Sequence, residues 1–334
     1  MDTDSKIGDF EEALDADISI VDAHFHTWDV SPFGPGHAVY SAQDYFDDIK
    51  KSGHRIVGTV YVEALTSYKE VGPDELKSVG ETEYAEKVGQ LGRDQRHDVG
   101  GASAGIVINA DLSRRDIDDI IDAHIAASPR VKGVRLRAHS AEGVPSFANT
   151  PLGLLRQEQL WEGVRTLARR DLAFDCTVYQ TQLEDVSILA KACPATTIIL
   201  GHLGGPLGSG RYSDNRSEHF EQWRNALSQV SANPNVFLKV GGLNHQSTGL
   251  GAHDLTRPFG SEQMVAAQKA HILTAIDLFG PDRCMFESNF PGDKSGISYA
   301  ALWNGFKILT EGFSIQERAE MFSGTAQRAY RLDI

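Results

Sequence analysis

Short runs of aliphatic and β-branched residues recur along the chain, separated by longer segments whose apolar positions return every three or four residues. That alternation is the pattern of parallel strands joined by helical crossovers. Eight strands are predicted, at Ile18–Ala23, Ile56–Val62, Gly105–Asn109, Val131–Arg137, Ala173–Val178, Thr197–Leu200, Val236–Val240 and Cys284–Glu287. Helix starts are predicted at Ser41, Ser113 and Ser261, each serine being followed by acidic residues that complement a helix dipole while the hydroxyl accepts from an orphan amide. Eight strand and helix units predict an α/β protein, a closed (β/α)8 TIM barrel. An open doubly wound sheet is the alternative, but no Gly-x-Gly-x-x-Gly follows the first strand to support it. Without internal repeats or a Pro/Gly/Ser-rich linker, residues 1–334 read as one domain, with residues 1–17 a short N-terminal extension. The long connections follow strands, at 27–40, 64–80, 139–151, 203–216 and 241–260, which places them at the carboxyl-terminal face of a barrel, where loops carry function.

Composition narrows the partners. The 334 residues are 41% hydrophobic, enough for a substantial core, and the formal net charge of -14 opposes binding to a phosphate backbone. Arg114-Arg115 and Arg169-Arg170 lie in helical segments and read as solvated faces. Cys176, Cys193 and Cys284 are odd in number and show no Cys-x-x-Cys spacing, which argues against a disulfide framework or a zinc knuckle and for a reducing cytoplasm. The acidic amino terminus lacks the character of a secretory signal, and no run approaches the ~18 apolar residues of a membrane span. A cytoplasmic protein with a small-molecule substrate is expected, with neither nucleic acid nor membrane as partner; a homo-oligomer is compatible with these features.

The candidate chemistry begins at Ile-Val-Asp-Ala-His24-Phe-His26. Residues two apart on a strand share a face, so both imidazoles project into the same space. His202 ends the sixth strand, and three imidazoles at strand ends suffice for a catalytic zinc that keeps one position for water. Histidines that merely cap a strand are the plainer reading of the pair alone. Arg135 and Arg137 share parity at the end of the fourth strand and suit bidentate binding of a substrate carboxylate, or an interior ion pair. The glycine-rich stretch from Gly204 to Gly210 lacks the Lys-Ser/Thr of a phosphate loop and reads as a lid or turn.

Taken together, Val-Asp-Ala-His24-Phe-His26, Gly-Val-Arg135, Gly-His202-Leu-Gly-Gly-Pro and Met-Phe-Glu-Ser-Asn289-Phe-Pro resemble the amidohydrolase superfamily over Ile18 to Leu332. Within it they are similar to the amidohydrolase 2 branch of 2-pyrone-4,6-dicarboxylate lactonase and L-fuconolactonase type barrels. The resemblance implies a TIM-barrel hydrolase that opens a lactone or related cyclic ester of a small oxygen-rich acid. It also implies one divalent metal, zinc first, on His24, His26 and His202, needed by some members and dispensable for others. Two departures stand out: Gln180 occupies the place of a customary fifth-strand histidine, and Asn289 that of the eighth-strand aspartate. Asparagine can orient water but cannot act as a general base. The catalytic candidates are therefore Glu63, His202, Asn289 and Asp293. Glu63 comes first, against a simple pairing with Arg135 or Arg137; Asp293 comes second, against a loop salt bridge with Lys294. Arg135, Arg137, Gln180, Tyr179 and His253 are the candidates for holding substrate. Glu287 is expected to point inward and to pair with Lys239. A lyase, decarboxylase or hydratase, acting on a similar acid is the alternative chemistry, and a catalytically idle ligand-binding barrel the alternative class.

Overall fold

The computed structural model describes residues 11–34, 37–94, 99, 101–144, 151–252 and 256–334. All eight predicted strands form: β1 (Ile20–Phe25), β2 (Ile56–Val62), β3 (Gly105–Asn109), β4 (Val131–Arg137), β5 (Ala173–Thr177), β6 (Ile198–Leu200), β7 (Val236–Val240) and β8 (Cys284–Phe286). They lie side by side in chain order, each paired in parallel with the next. Hydrogen bonds just beyond β8 close the ring onto β1: Ser288 N to Asp22 Oδ1 (2.8 Å), Asn289 N to His24 O (2.9 Å) and His26 N to Phe290 O (2.8 Å). This is a (β/α)8 barrel.

The helices are α1 (Ala42–Ser52), α2 (Val79–Arg93), α3 (Ile117–Ala127), α4 (Glu158–Arg169), α5 (Leu183–Ala192), α6 (Arg216–Ser231), α7 (Ser261–Phe279), α8 (Tyr299–Leu309), α9 (Ile315–Ala319) and α10 (Thr325–Tyr330). Ser41 caps α1 in a reciprocal capping box with Asp44. Ser113 does not cap α3; its amide and hydroxyl both turn back to Asp111 Oδ1, and the helix starts at Ile117. The residue before Ser261, Gly260, is the cap of α7.

Alternation along the strands produces two apolar layers. Phe174, Cys176, Leu238, Val240 and Phe286 face the helices, as when Phe286 stacks on Phe306 of α8 at 4.4 Å. Val21, Ala23, Val60, Val62, Val107, Ala173, Ile199 and Met285 fill the barrel, and α10 closes its base with Ala326, Ala329 and Tyr330. In β1 the alternation is broken by a register irregularity between Asp22 and Phe25. Asp22 faces outward to the hydroxyls of Tyr45 and Tyr299, Ala23 packs inside, and His24 also turns inward to Lys239. A bulge of this kind re-aims a side chain at a barrel rim. All three cysteines are buried and unpaired. Among the described residues, no helix is long and apolar enough to cross a membrane.

Candidate active site

The neighbours of the first two histidines bear on where their protons sit. His26 Nδ1 is 2.6 Å from the Val62 carbonyl, which can only accept, so Nδ1 carries the proton and Nε2 a lone pair. On the other side, the Lys239 ammonium, which can only donate, lies 3.3 Å from His24 Nδ1, and while it donates there the His24 proton is on Nε2. That N–H meets the lone pair of His26 Nε2 at 3.0 Å. Lys239 is anchored in turn by Asp175 at 2.8 Å, and Asp175 by the Tyr330 hydroxyl from the base of the barrel. From Lys239, which Asp175 holds in place, donors thus run through His24 to His26. Burial, followed by the charge of Lys239 for His24 and of Arg135 for His26, holds both imidazoles well below the usual histidine range.

Glu287 corrects the sequence expectation. Lys239 has Asp175 as its carboxylate partner, while Glu287 turns to the histidines. Its Oε1 accepts from His202 Nδ1 (2.7 Å) and from the His202 amide (3.1 Å). Its Oε2 lies 3.0 Å from His24 Nδ1, buried and without a hydrogen-bond donor. The ring centroids of His24 and His202 are 4.8 Å apart.

Space for this cluster depends on Gly242, which has φ +67 and whose Cβ, were there one, would fall 2.2 Å from His202 Nδ1. Gly242→Ala is expected to destabilise the fold by about 1–3 kcal/mol from the backbone alone. The displacement of His202 adds to that and removes activity. Gly53→Ala is the control: Gly53 has φ +69, but its added Cβ would meet nothing closer than Ala13 at 3.5 Å. Urea unfolding of the two variants separates the shared conformational cost from the clash.

Above the histidines opens a cavity of about 650 Å³, reached by His26 and His202 and walled by Glu63, Arg135, Arg137, Tyr179, Asn289 and the aromatic rings of Trp28, Phe33 and Tyr40. His24 lies beneath, fully buried. Arg137 donates to Glu63 Oε2 at 2.9 Å; Arg135 donates to the Glu63 carbonyl at 3.1 Å and approaches its carboxylate at 3.8 Å. Glu63 thus makes the arginine pairing that the sequence left open, while still facing the cavity.

Asn289, in a left-handed conformation (φ 54), donates from Nδ2 to Asp293 Oδ1 at 2.9 Å. Asp293 is only 1% exposed and takes two further bonds, both 3.0 Å, from the amide and side chain of Asn244. Lys294 pairs with Asp48 instead of Asp293. Gln180 is outside the cavity wall: it accepts from Leu207 N at 2.8 Å and donates to His219 O at 3.4 Å, tying the loop after β6 to the end of β5. Tyr179 is on the wall, and its hydroxyl bonds to Ser247. His253 lies outside the described residues.

Glu81 of α2 escaped the sequence reading. Its Oε1 accepts from Ala64 N at 2.6 Å and from the Tyr61 hydroxyl at 3.2 Å, and burial together with the nearby Glu63 pushes its carboxyl up to about 8. An acid in the first turn of an amphipathic helix carries no mark of burial in sequence, since that is also where exposed acids collect.

Known proteins are similar to this chain. The uncharacterised protein y4mH of Sinorhizobium fredii is 33% identical over 336 residues, spanning 95% of this chain and 100% of that one. The L-fucono-1,5-lactonase of Burkholderia multivorans is 32% identical over 174 residues, 51% of this chain and 55% of the lactonase. A crystal structure of an amidohydrolase from Burkholderia multivorans with bound zinc has the same fold, with a TM-score of 0.71 at 22% identity over 94% of this chain and 99% of that one. The amidohydrolase family model matches residues 21–332, from the first barrel strand to the last turn beyond α10, and the chain belongs to that family.

Proposed function

We infer that the protein is a hydrolase that opens a lactone or related cyclic ester of a small, oxygen-rich carboxylic acid. The observation that carries this reading is the meeting of His24, His26 and His202 at the floor of a cavity whose wall bears Arg135 and Arg137. The partial match to an L-fucono-1,5-lactonase supports the substrate class.

Among the described residues, ligand atoms of His24, His202 and Glu287 lie within 4.8 Å of one another, and with His26 Nε2 3.0 Å from His24 Nε2 the donor set fits a divalent cation, with zinc first. His26 and His202 each have Nδ1 engaged by an acceptor, Val62 O and Glu287 Oε1, which leaves Nε2 as the ligand nitrogen. The orphaned Glu287 Oε2 beside His24 Nδ1 can do the same for the third imidazole. When bound, such an ion supplies Lewis-acid polarisation of a carbonyl and acidifies water. The remaining roles belong to side chains on the wall. Arg137 and Arg135 hold the substrate's anionic or carbonyl oxygens through paired N–H donors. Glu63, as the carboxylate facing the cavity, takes the proton from the attacking water. Asn289, fixed by Asp293, orients that water through its amide. The free, buried cysteines fit a cytoplasmic enzyme.

A panel of sugar-acid lactones and carboxylated pyrones, followed by NMR for ring opening, tests the reading. Turnover of at least one lactone is expected, with Glu63→Gln lowering kcat about 100-fold or more. If Glu63 served only to steady the arginines, the same variant would raise KM and leave kcat in place. No ring opening on any lactone, or carbon dioxide release without it, overturns the assignment.

A further inference from the structure

One nitrogen, His24 Nδ1, has two unlike neighbours. Lys239 Nζ, a donor, is 3.3 Å away; Glu287 Oε2, an acceptor with no hydrogen bond of its own, is 3.0 Å away. The choice between them settles the state of the opposite nitrogen. While Lys239 donates, the imidazole proton is on Nε2 and is spent on His26, so neither Nε2 of the pair is free for a cation. With the proton on Nδ1 and directed to Glu287, both Nε2 atoms carry lone pairs facing one another at a separation that only a cation between them makes favourable.

We propose that Lys239 and Glu287 are opposing positioning residues that set the tautomer of His24, and thereby whether the His24–His26 pair is closed by its own hydrogen bond or opened to a divalent cation. As the cation arrives, one proton leaves His24 Nε2 for solvent and one is taken up at Nδ1, so the ring stays neutral and Lys239 keeps its bond to Asp175. Glu287 is held ready for this by the part of it that does not change. Its Oε1 is fixed by both the amide and the ring of His202, and Gly241 has no side chain where a Cβ would strike the Glu287 Cγ at 2.5 Å. Glutamine at this position reverses the outcome: its carbonyl oxygen takes over the His202 bonds, and its NH2 then faces His24 Nδ1 as a second donor, locking the closed tautomer.

The proposal rests on reading the three histidines as a cation site, but its test needs no substrate. Long-range proton–nitrogen correlation spectra of the full chain labelled with 15N-histidine report each tautomer, and zinc chloride alone is the titrant. In the metal-free protein His24 is expected as the Nε2–H form and His26 as Nδ1–H; zinc is expected to convert His24 to Nδ1–H and leave His26 unchanged. Glu287→Gln is expected to keep the metal-free pattern, which checks that it folds, and to weaken zinc binding 10- to 100-fold in a competition assay. The proposal is overturned by an Nδ1–H signal for His24 before zinc is added, by no change of tautomer on saturation, or by wild-type zinc affinity in Glu287→Gln. A protein that opens no lactone yet shows the zinc-driven conversion would sink the proposed activity and leave this inference standing.

Discussion

His26→Ala is expected to lower kcat/KM by ~10³-fold or more on any lactone the enzyme turns over, about 4 kcal/mol of transition-state stabilisation. His26 is the histidine of the pair that reaches the cavity, and its Nε2 lone pair accepts from His24 at the end of the buried sequence of donors that begins at Lys239. Removing the ring leaves the Val62 carbonyl without its donor and His24 Nε2–H without its acceptor, two buried polar groups at about 1–3 kcal/mol each. A fall in thermal stability therefore accompanies the loss of rate. His26→Gln separates the two effects. Its amide can restore bonds of both kinds, which recovers stability, but it presents no imidazole nitrogen to the cavity and leaves turnover low. A kcat/KM for His26→Ala within tenfold of wild type, in folded protein, would remove the histidine cluster from the mechanism.

The barrel was legible because every strand is marked twice, by its β-branched run and by the amphipathic segment after it; the eight predicted strands all form, with ends that move by a few residues. That the candidate histidines and arginines lie at strand ends was legible for the same reason, and strand ends are where chemistry sits in this fold. Pairings inside the barrel were not. Lys239 and Glu287 are on adjacent strands and of opposite charge, yet Lys239 reaches across to Asp175 on β5, which frees Glu287 for His24 and His202. Parity alone puts all of them inside and cannot say which meet, because that depends on the stagger of the strands. The bulge in β1 is likewise silent in sequence: strict alternation would place His24 on the face of Asp22, which in fact lies outside with Tyr45 and Tyr299. Gln180 shows the opposite failure. It stands where a ligand was expected, but the backbone turns so that its amide serves a loop.

Acidification is expected to unfold the protein between about pH 6 and pH 4, and buried histidines far from the site are the main reason. Burial holds His54, His124 and His271 down to about 4. In the unfolded chain each takes up its proton near pH 6.5. Above that pH all three are neutral in both states and stability does not depend on them. Between about 6.5 and 4 the unfolded state binds more protons, so stability falls as pH falls, by up to about 1.4 kcal/mol per unit for each histidine. Even halved for incomplete burial, three such groups remove several kcal/mol, a large share of the ~5–15 kcal/mol that holds a typical domain together. Glu81 acts in the other direction. Its carboxyl, pushed up to about 8, keeps a proton in the folded state that the unfolded chain releases near 4.5, so it destabilises as pH rises through that window and restores stability on the way down. Asp22 and Asp293, also raised by burial, act as Glu81 does, while His24, His26, His139 and His245, held down by burial, act with the other three, so seven histidines face three carboxyls. Urea midpoints followed by circular dichroism from pH 4 to pH 8 should therefore be highest near neutrality and fall steeply below pH 6.5; a midpoint flat or rising toward pH 4.5 would contradict this account. His271 gives the single-site check, because it is wedged between Phe220 and Trp223 with centroids at 4.9 Å and its Nδ1 buried without a partner. His271→Phe keeps the packing and deletes the titration. Its midpoint is expected to exceed that of the wild type at pH 5 by more than at pH 7.5, and an equal difference at both would show that packing, and not proton uptake, sets the cost of that histidine.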